Sequence, residues 1–269
     1  MPNSETVLIT GASTGIGTDL TRIFAADGFN LVLVARSADK LNRLAEELSA
    51  KHGIKTRVLP KDLSHPSAAS EIFAELQRDS VQIDILVNNA GIGSFGFFAD
   101  TPLEELQQVM YVNMIALTEL TRLFLSGMLE RKHGRILNLA STAGFQPGPL
   151  MAVYYASKAY VLWFSEALAN EMKGSGVSVT ALAPGPTITE FQKRAKMEKS
   201  ELISGKLLSV MDSESVARYG YRALMKGKTL AIPGFMNKAV AFSTRLAPRK
   251  LVTQIARKLQ EQKTAKAPK

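Results

Sequence analysis

The chain of 269 residues contains no cysteine. That absence excludes disulfide bonds, thiolate catalysis and zinc or iron–sulfur centres held by cysteine. Histidine is scarce as well: His52, His65 and His133 lie far apart in unlike contexts, so no metal site built on histidine is expected. A chain without cysteine fits a reducing compartment, and we expect a cytoplasmic location.

Long hydrophobic runs and a secretion signal are also missing. No apolar run looks long enough to span a bilayer. The first residues, MPNSETVLITG, have no charged region followed by an apolar stretch. The sequence therefore predicts neither a transmembrane helix nor a signal peptide.

Acidic residues are rare in the C-terminal part of the chain. The net charge is +9, and residues 244–269 carry eight Lys or Arg against a single acid, Glu261. This short stretch therefore supplies seven of the nine positive charges. The remaining chain is close to neutral, so its charge does not predict a nucleic-acid-binding surface.

Apolar segments rich in β-branched residues alternate with stretches of helical spacing along most of the chain. The seven segments predicted as strands are ETVLIT, FNLVLVA, KTRVLP, IDILVNN, GRILNLAS, VSVTALAPG and KTLAIP. Between the fourth and fifth, residues 102–132 are predicted as one long helical stretch. This alternation is typical of parallel βαβ units with helices on both faces of the sheet. We predict one domain over residues 1–235, followed by a basic amphipathic tail over residues 236–269.

A glycine-rich turn, TGASTGIG, joins the first predicted strand to the first predicted helix. Glycine is needed where the backbone takes a positive φ or must approach another group closely. A pyrophosphate at a helix N-terminus requires such an approach. The three glycines Gly11, Gly15 and Gly17 leave that room, although a simple turn between strand and helix remains an alternative.

Two tyrosines precede a lysine in the stretch VYYASKAYV. On a helix, Tyr154 lies four residues and Tyr155 three residues before Lys158, and both spacings put the side chains on one face. A tyrosine beside a lysine is a candidate proton-transfer pair. Helical spacing alone does not choose between the two tyrosines, and for the pair taken alone ordinary helix packing is the favoured interpretation.

Several short motifs occur in a characteristic order. They are TGASTGIG, Asp62–Leu63, NNAG ending at Gly91, Asn113 in YVNMIA, Ser141 in NLASTAG, Tyr154 and Lys158 in YxxxK, and PGPTIT from Pro184 to Thr189. In this order the chain resembles the short-chain dehydrogenase/reductase family. The resemblance implies a Rossmann-type doubly wound fold with a seven-stranded parallel sheet. It also implies hydride transfer between a nicotinamide cofactor and a carbonyl or alcohol.

The resemblance assigns roles to four residues. The family motif identifies Tyr154 as the general acid and base, whereas Tyr155 occupies a variable position. Lys158 is expected to lower the pKa of Tyr154 and to hold the nicotinamide ribose. Ser141 is expected to polarise the substrate oxygen, and Asn113 to hold a water in a proton relay.

Further residues are expected around the cofactor. The resemblance places there Gly11, Ser13, Thr14, Gly15, Ile16, Gly17, Asp62, Leu63, Asn88, Ala90, Gly91, Pro184, Gly185, Thr187 and Thr189, together with Tyr154 and Lys158. At the end of the second strand stands Arg36, where an NAD site usually has an acid. A guanidinium suits a 2′-phosphate, so the predicted cofactor is NADP(H), although Thr14 is not the basic residue that many NADP-using relatives carry.

The segments expected around the substrate are apolar. GSFGFFAD, GFQPGPLM and the region from Thr189 to Leu208 contribute Phe95, Phe97, Phe98, Phe145, Leu150, Met151 and Phe191. They predict a bulky, apolar, lipid-like ketone or alcohol. The same side chains could instead form the core or contacts between subunits of a homo-oligomer.

Two alternatives concern function and the tail. A cofactor-sensing protein without turnover could use the same fold, but it would not need Ser141, Asn113, Tyr154 and Lys158 together. In the tail, Leu251, Val252, Ile255 and Leu259 follow helical spacing after Pro248. We expect this helix to dock on the enzyme or a second subunit, and an anionic membrane surface is the alternative.

Overall fold

The computed structural model describes residues 5–191, 195 and 210–261. Strands and helices alternate along most of this length. The strands are β1 (Thr6–Thr10), β2 (Asn30–Ala35), β3 (Thr56–Pro60), β4 (Ile85–Asn88), β5 (Gly134–Leu139), β6 (Val177–Leu182), β7 (Thr187–Ile188), β8 (Met211–Asp212) and β9 (Leu230–Ala231). The helices are α1 (Gly15–Ala26), α2 (Ala38–His52), α3 (Ala68–Arg78), α4 (Leu103–Met110), α5 (Ala116–Glu130), α6 (Ala152–Glu171), α7 (Ser213–Met225), α8 (Phe235–Ser243) and α9 (Arg249–Gln260).

Seven strands form one parallel sheet in the order β3-β2-β1-β4-β5-β6-β9. The predicted seven-stranded, doubly wound sheet is confirmed. Strand order reverses between β1 and β4, and ligands of such sheets bind beside the carboxyl ends of strands at this point. A separate two-stranded pair, β7 with β8, was not predicted, because each strand has only two residues.

Both faces of the sheet are covered by helices. Within β1, Val7 and Ile9 pack into a core with α1, α2 and α7, whereas Leu8 packs into a second core with α3 and α5. This alternation follows from the period of two in a strand. Because both sets of side chains are buried, the strand is apolar at successive positions, as the sequence indicated.

The predicted helical stretch over residues 102–132 is interrupted. A π-helical segment, Tyr111–Ile115, lies between α4 and α5 and carries Asn113. Such segments are frequent at functional sites, and helical periodicity does not reveal them. The joined helix Leu103–Glu130 is long and apolar enough to span a bilayer by composition, contrary to our expectation, but half of its most apolar window is buried in the structure.

The tail contains two helices that pack against the domain. The helix α8 buries Asn237 and Ala241, which lie one turn apart. Pro248 stands immediately before α9 and separates it from α8, so the predicted interruption of the tail helix at this proline is confirmed. The boundary at residue 235 stays a prediction, and residues 262–269 lie outside the described part.

The buried face of α9 shares only Val252 with the stripe predicted from the sequence. The helix buries Val252, Ala256 and Gln260, four residues apart along one face. In contrast, Leu251 and Ile255 are about half exposed, at 47% and 48%. Because the side chain of Ala256 is small, α9 can pack close to the domain along this face. A search for large apolar residues does not detect such a contact.

Candidate active site

A cleft of about 790 Å³ lies at the carboxyl edge of the central strands. Most of the predicted catalytic and cofactor-binding residues line it, and three of them do not: Gly17, Asn88 and Asn113. The predicted residues that line the cleft are Gly11, Ser13, Thr14, Gly15, Ile16, Arg36, Asp62, Leu63, Ala90, Gly91, Ser141, Tyr154, Lys158, Pro184, Gly185, Thr187 and Thr189.

The glycine-rich turn leads from β1 into the N-terminus of α1. Gly11 has φ of +65°, a conformation that favours glycine. A methyl group on Gly17 would lie 2.2 Å from the carbonyl oxygen of Gly11, so this glycine allows the turn to close on itself. Gly15 and Ile16, in the first turn of α1, line the cleft. The N–H groups of a first helical turn have no partner within the helix, and they suit a pyrophosphate.

The asparagine that supports this turn is Asn89, which the sequence analysis missed. Its side-chain amide donates to the carbonyl oxygens of Thr10 at 2.9 Å and Gly11 at 3.1 Å, and the residue lines the cleft. The neighbouring Asn88 points into the core, where it donates to Asn138 at 2.9 Å. Successive residues of an extended chain face opposite sides, so Asn88 points into the core while Asn89 supports the turn.

Arg36 and Asp62 lie at the ends of β2 and β3, on the side of the cleft away from Tyr154. The side chain of Arg36 is 60% exposed, and its guanidinium lies 3.9 Å from the Asp62 carboxylate. Burial opposes ionisation of Asp62, but hydrogen bonds from Ser64 and the nearby Arg36 bring its pKa below the ordinary value. The guanidinium is therefore accessible to a phosphate entering this end of the cleft.

Ser141 and Tyr154 meet at the other end of the cleft. The hydroxyl of Ser141 lies near that of Tyr154, and it donates to the carbonyl oxygen of Pro184 at 3.4 Å. Ser141 lies two residues after the end of β5, and its hydroxyl oxygen accepts the backbone N–H of Ala143 at 3.1 Å. Burial raises the pKa of Tyr154 well above its ordinary value, and the contact with Ser141 opposes part of that rise.

Lys158 lies one turn after Tyr154 on α6 and is 4% exposed. Its ammonium group donates to the carbonyl oxygen of Leu139 at 2.7 Å and lies 5.8 Å from the centre of the Tyr154 ring. Burial lowers the pKa of Lys158 to about 8. We expected the lysine charge to favour phenolate; in this structure burial dominates, and Tyr154 is a neutral phenol able to donate a proton.

Tyr155 faces a different environment. Its ring packs so closely on Gly148 that a methyl group there would come within 2.1 Å of it. Burial raises its pKa to about 12, with the nearby carboxamide of Gln260 on α9 opposing part of the rise. Neither amide atom of Gln260 makes a well-formed hydrogen bond. Both tyrosines line the cleft. Tyr154 lies beside Ser141, whereas Tyr155 packs its ring on the loop at Gly148.

Asn113 is 1% exposed and lies behind the cleft rather than on its wall. Its oxygen accepts the N–H of Ile92 at 2.9 Å, and its amide donates to the carbonyl of Ile92 and to the hydroxyl of Ser157, both at 2.9 Å. These bonds tie the π-helical segment to the loop after β4 and to α6. The role in a proton relay stays a prediction.

The loop that begins at Pro184 closes over the cleft from the side of β6. The carbonyl oxygen of Pro184 accepts the N–H of Thr142 at 2.9 Å, which fixes the loop beside Ser141. From the tail, the carboxamide of Asn237 lies against Gly185, where a methyl group would come within 2.5 Å of it. The sequence analysis assigned Asn237 to a separate tail and missed this support.

The apolar residues predicted around the substrate are only partly brought to the cleft. Met151 and Phe191 line it, and Phe191 packs 5.3 Å from the Tyr154 ring. Phe145 packs into a core cluster instead, and Phe98 is 66% exposed. Gln146 is an additional polar residue on the wall that the sequence analysis did not identify.

The other predicted apolar residues support the loops that surround the cleft. Leu150 is buried with φ of +67°, and its carbonyl oxygen accepts the N–H of Gly96 at 2.9 Å. Phe95 packs beside Met151, and Phe97 lies under the guanidinium of a tail residue. The region from Thr189 to Leu208 was also expected here, and residues 192–194 and 196–209 lie outside the described residues.

Comparison with known proteins places this geometry in context. The sequence pattern described as short chain dehydrogenase matches residues 5–200. The chain is 35% identical over 229 residues to the ketoacyl reductase HetN of Nostoc sp., covering 85% of this chain and 77% of that protein. A very-long-chain 3-oxoacyl-CoA reductase of Phaeosphaeria nodorum is 37% identical over 199 residues. That match covers 72% of this chain but 58% of the relative, so the chain spans less than two thirds of its length.

A solved structure extends the similarity to nearly the full chain. A short-chain dehydrogenase from Sphingobium yanoikuyae, in complex with NADPH, superimposes with a TM-score of 0.81 at 31% identity. The superposition covers 98% of each chain, including the tail helices that the sequence pattern does not reach.

Proposed function

This chain belongs to the short-chain dehydrogenase family, and we propose that it is an NADP(H)-dependent reductase of bulky, apolar ketones. The observation that carries the proposal is the meeting of Ser141, Tyr154 and Lys158 at one end of a cleft whose other end presents Arg36. A cofactor-sensing protein without turnover would need only the end that presents Arg36. The presence of the other end, with Ser141, Tyr154 and Lys158, therefore favours catalysis.

The cleft fits a phosphorylated dinucleotide. The turn around Gly11 and Gly17 leaves free N–H groups at the start of α1 for a pyrophosphate. The exposed guanidinium of Arg36 provides a partner for a 2′-phosphate, in keeping with the NADPH bound by the Sphingobium yanoikuyae relative. Asp62 is proposed to accept a hydrogen bond from the adenine amino group.

Reduction of a ketone requires a proton on the oxygen as the carbon receives a hydride, which NADPH supplies when bound. Tyr154 is the proposed proton donor, because burial keeps its phenol protonated and its hydroxyl meets that of Ser141. The hydroxyl of Ser141 would hydrogen-bond the same oxygen and stabilise the charge that develops there. In the reverse direction Tyr154 would accept the proton.

Lys158 and Asn113 support this proton transfer in the proposed mechanism. With its pKa near 8, Lys158 is protonated at neutral pH and can stabilise phenolate after Tyr154 has given up its proton. The ammonium group would also hold the nicotinamide ribose. Asn113 ties the loop after β4 to α6, and we propose that it also positions a water that returns a proton through Lys158.

The proposed substrate is a bulky, lipid-like ketone, with long-chain 3-oxoacyl thioesters as the first candidates. Two relatives are named as ketoacyl or very-long-chain 3-oxoacyl-CoA reductases. The wall beside Tyr154 contributes apolar side chains from Met151 and Phe191, which suit an acyl chain. Gln146 offers one polar group on this wall to a second carbonyl of such a substrate.

A panel of carbonyl substrates tests the proposal. Purified full-length protein is given NADPH and 3-oxoacyl thioesters of increasing chain length, together with small ketones, and NADPH oxidation is followed. We expect kcat/KM to rise with chain length and NADPH to be preferred over NADH. Activity confined to small, polar carbonyls would contradict the apolar substrate, and turnover that survives unchanged in Tyr154→Phe would contradict the mechanism.

We also propose that the protein works in the cytoplasm as a homo-oligomer. Apolar surface on α6 supports subunit contact, because Trp163 is 64% and Tyr160 is 37% exposed. Light scattering of the purified protein measures the mass of the particle. Fractionation of expressing cells tests the location.

A further inference from the structure

The helices α8 and α9 expose a group of large apolar side chains on the side that faces away from the domain. Phe235 is 84% exposed, and Phe242 follows it after two helical turns on the same face. Leu246, in the turn after α8, is 90% exposed. We call this surface the tail outer face; its apolar members are Phe235, Met236, Phe242, Leu246, Leu251 and Ile255.

Basic side chains accompany these apolar groups almost without acids. Residues 235–261 contain the six basic residues Lys238, Arg245, Arg249, Lys250, Arg257 and Lys258, and the sole acid of this stretch is Glu261. That acid is paired with Arg257 at 2.8 Å. Arg257 packs on Phe97 of the domain, and the other five basic residues are exposed. The tail outer face therefore combines apolar and positively charged groups, the pattern of a helix that lies on an anionic lipid surface.

The opposite sides of both helices are held by the domain, which fixes the direction in which the tail outer face points. Asn237 and Ala241 of α8 are buried, with Asn237 packed on Gly185. Val252 and Ala256 anchor α9 in the same way. Docking on the enzyme and exposure of an apolar surface thus occur together, on opposite sides of the same two helices.

We propose that the tail outer face binds the surface of an anionic lipid bilayer. Charge complementarity selects this occupant over a second copy of the chain. A two-fold contact through this surface would bring two sets of basic residues together, and like charges in contact oppose association. A bilayer with anionic head groups accepts the apolar side chains and attracts the charges at the same time.

The position of α9 relates this surface to the cleft. The guanidinium of Arg257 lies 5.0 Å from the centre of the Phe97 ring, and α9 borders a cavity of about 520 Å³ beside Pro149. Pro149 lies two residues before Met151 on the wall of the cleft. A protein held by this surface would keep the apolar end of its cleft near lipid, the phase in which a long-chain ketone dissolves. Lipid binding itself does not depend on the proposed catalytic function.

Sedimentation with vesicles tests the proposal without any substrate. Full-length protein is mixed at low salt with vesicles of phosphatidylcholine alone or with about one third phosphatidylserine. We expect binding to the anionic vesicles that weakens with salt, and much weaker binding to the neutral ones. Each Lys or Arg near such a surface strengthens binding roughly fivefold, so Arg249→Gln with Lys250→Gln should weaken it by about tenfold or more.

Matched control variants distinguish vesicle binding through the tail outer face from general effects of charge and hydrophobicity. Lys51→Gln with Lys55→Gln removes two exposed charges far from the tail and should change binding by less than about twofold. The apolar contribution is tested by Phe242→Ser with Leu246→Ser, which should weaken binding roughly tenfold or more. Leu103→Ser, at a site 62% exposed on α4, is the control and should have little effect.

Three results would overturn the proposal. The first is wild-type protein that stays in the supernatant with anionic vesicles at low salt. The second is an equal loss of binding in the Lys51 and Lys55 control. The third is a particle mass that is half as large in Phe242→Ser with Leu246→Ser as in the wild type, because that result assigns the surface to a second copy of the chain. Retained turnover in any of these variants would leave the catalytic proposal intact, so the two proposals fail separately.

Discussion

The two ends of the cleft are built in different ways. At the nucleotide end, the residues directly follow strands of one parallel sheet, and the turn after β1 is supported by Asn89, the residue after the neighbouring strand β4. At the substrate end, loops without regular pairing are held by distant segments. Leu150 adopts a left-handed conformation there, Asn237 supports Gly185, and Arg257 covers Phe97.

This contrast indicates where the protein is free to change its specificity. A site made from strand ends inherits its geometry from the sheet and its two cores. A site made from loops and tail helices depends on a few contacts, each of modest strength. We therefore expect substitutions at the nucleotide end to affect all substrates alike, and substitutions at the substrate end to affect selectivity.

The two tyrosines at the start of α6 provide the strongest test of the substrate end, because Tyr154 lies beside Ser141 whereas Tyr155 packs on Gly148. Tyr154→Phe removes the proton donor and keeps the ring, so we expect turnover to fall by roughly 10²- to 10⁴-fold. Binding of NADPH, followed by fluorescence, should stay within about twofold. The measurement is kcat with the best ketone of the substrate panel.

Tyr155→Phe is the matched control for the first prediction. Its ring packs on Gly148, and that packing survives loss of the hydroxyl. We expect a loss of turnover below about fivefold. An inactive Tyr155 variant beside an active Tyr154 variant would reverse the assignment of the two tyrosines.

Much of the nucleotide end could be predicted from the sequence, because its motifs are short and consecutive. The turn around Gly11 and the position of Arg36 each follow from one strand and the residues after it. The role of Asn88 in fixing the loop around the cofactor stays a prediction. Asn88 points into the core, and the asparagine on the cleft wall is its neighbour Asn89, because the strand alternation was not applied. The family motif itself does not state which way each asparagine points.

The substrate end could not be predicted in the same way. Only Met151 and Phe191 of the expected apolar set line the cleft, because loop side chains are distributed by tertiary packing rather than by a local period. Contacts such as Asn237 with Gly185 join segments far apart in sequence. The π-helical segment around Asn113 is likewise invisible to helical spacing.

Lys158 lies beside Tyr154 at the substrate end, and its burial predicts a pH dependence of stability. Its pKa is about 8 in the folded protein and about 10.5 when unfolded. Between these values the unfolded state binds more protons, so stability should rise with pH. Relative to Lys158→Met, the wild type should gain roughly 3 kcal/mol from pH 7 to pH 11. Urea unfolding of the nucleotide-free protein measures this gain. A difference in unfolding free energy between wild type and Lys158→Met that does not change with pH would contradict the burial of a cationic lysine.

Arg36 tests whether the nucleotide end reads the 2′-phosphate. Arg36→Asp removes a charge-assisted contact and adds a repelling charge, so KM for NADPH should rise roughly 10- to 100-fold. KM for NADH should change by less than about threefold. The ratio of the two constants is the measurement, and Arg43→Asp on α2 is the control. Equal losses for both cofactors would show that Arg36 does not recognise the phosphate.

The smallest expected effect concerns the tail, and it decides whether α9 belongs to the substrate end. Arg257 lies 5.0 Å from the Phe97 ring centre, and a partly exposed cation–π contact contributes about 0.5–1 kcal/mol. Arg257→Gln should therefore raise KM for a long-chain ketone roughly two- to fivefold, with KM for NADPH unchanged. Arg245→Gln is the matched control, because Arg245 lies 5.5 Å from Phe242, on the side of the tail away from the cleft. If both variants alter KM equally, the tail acts on the cleft through charge alone, and the contact with Phe97 does not hold the substrate loop.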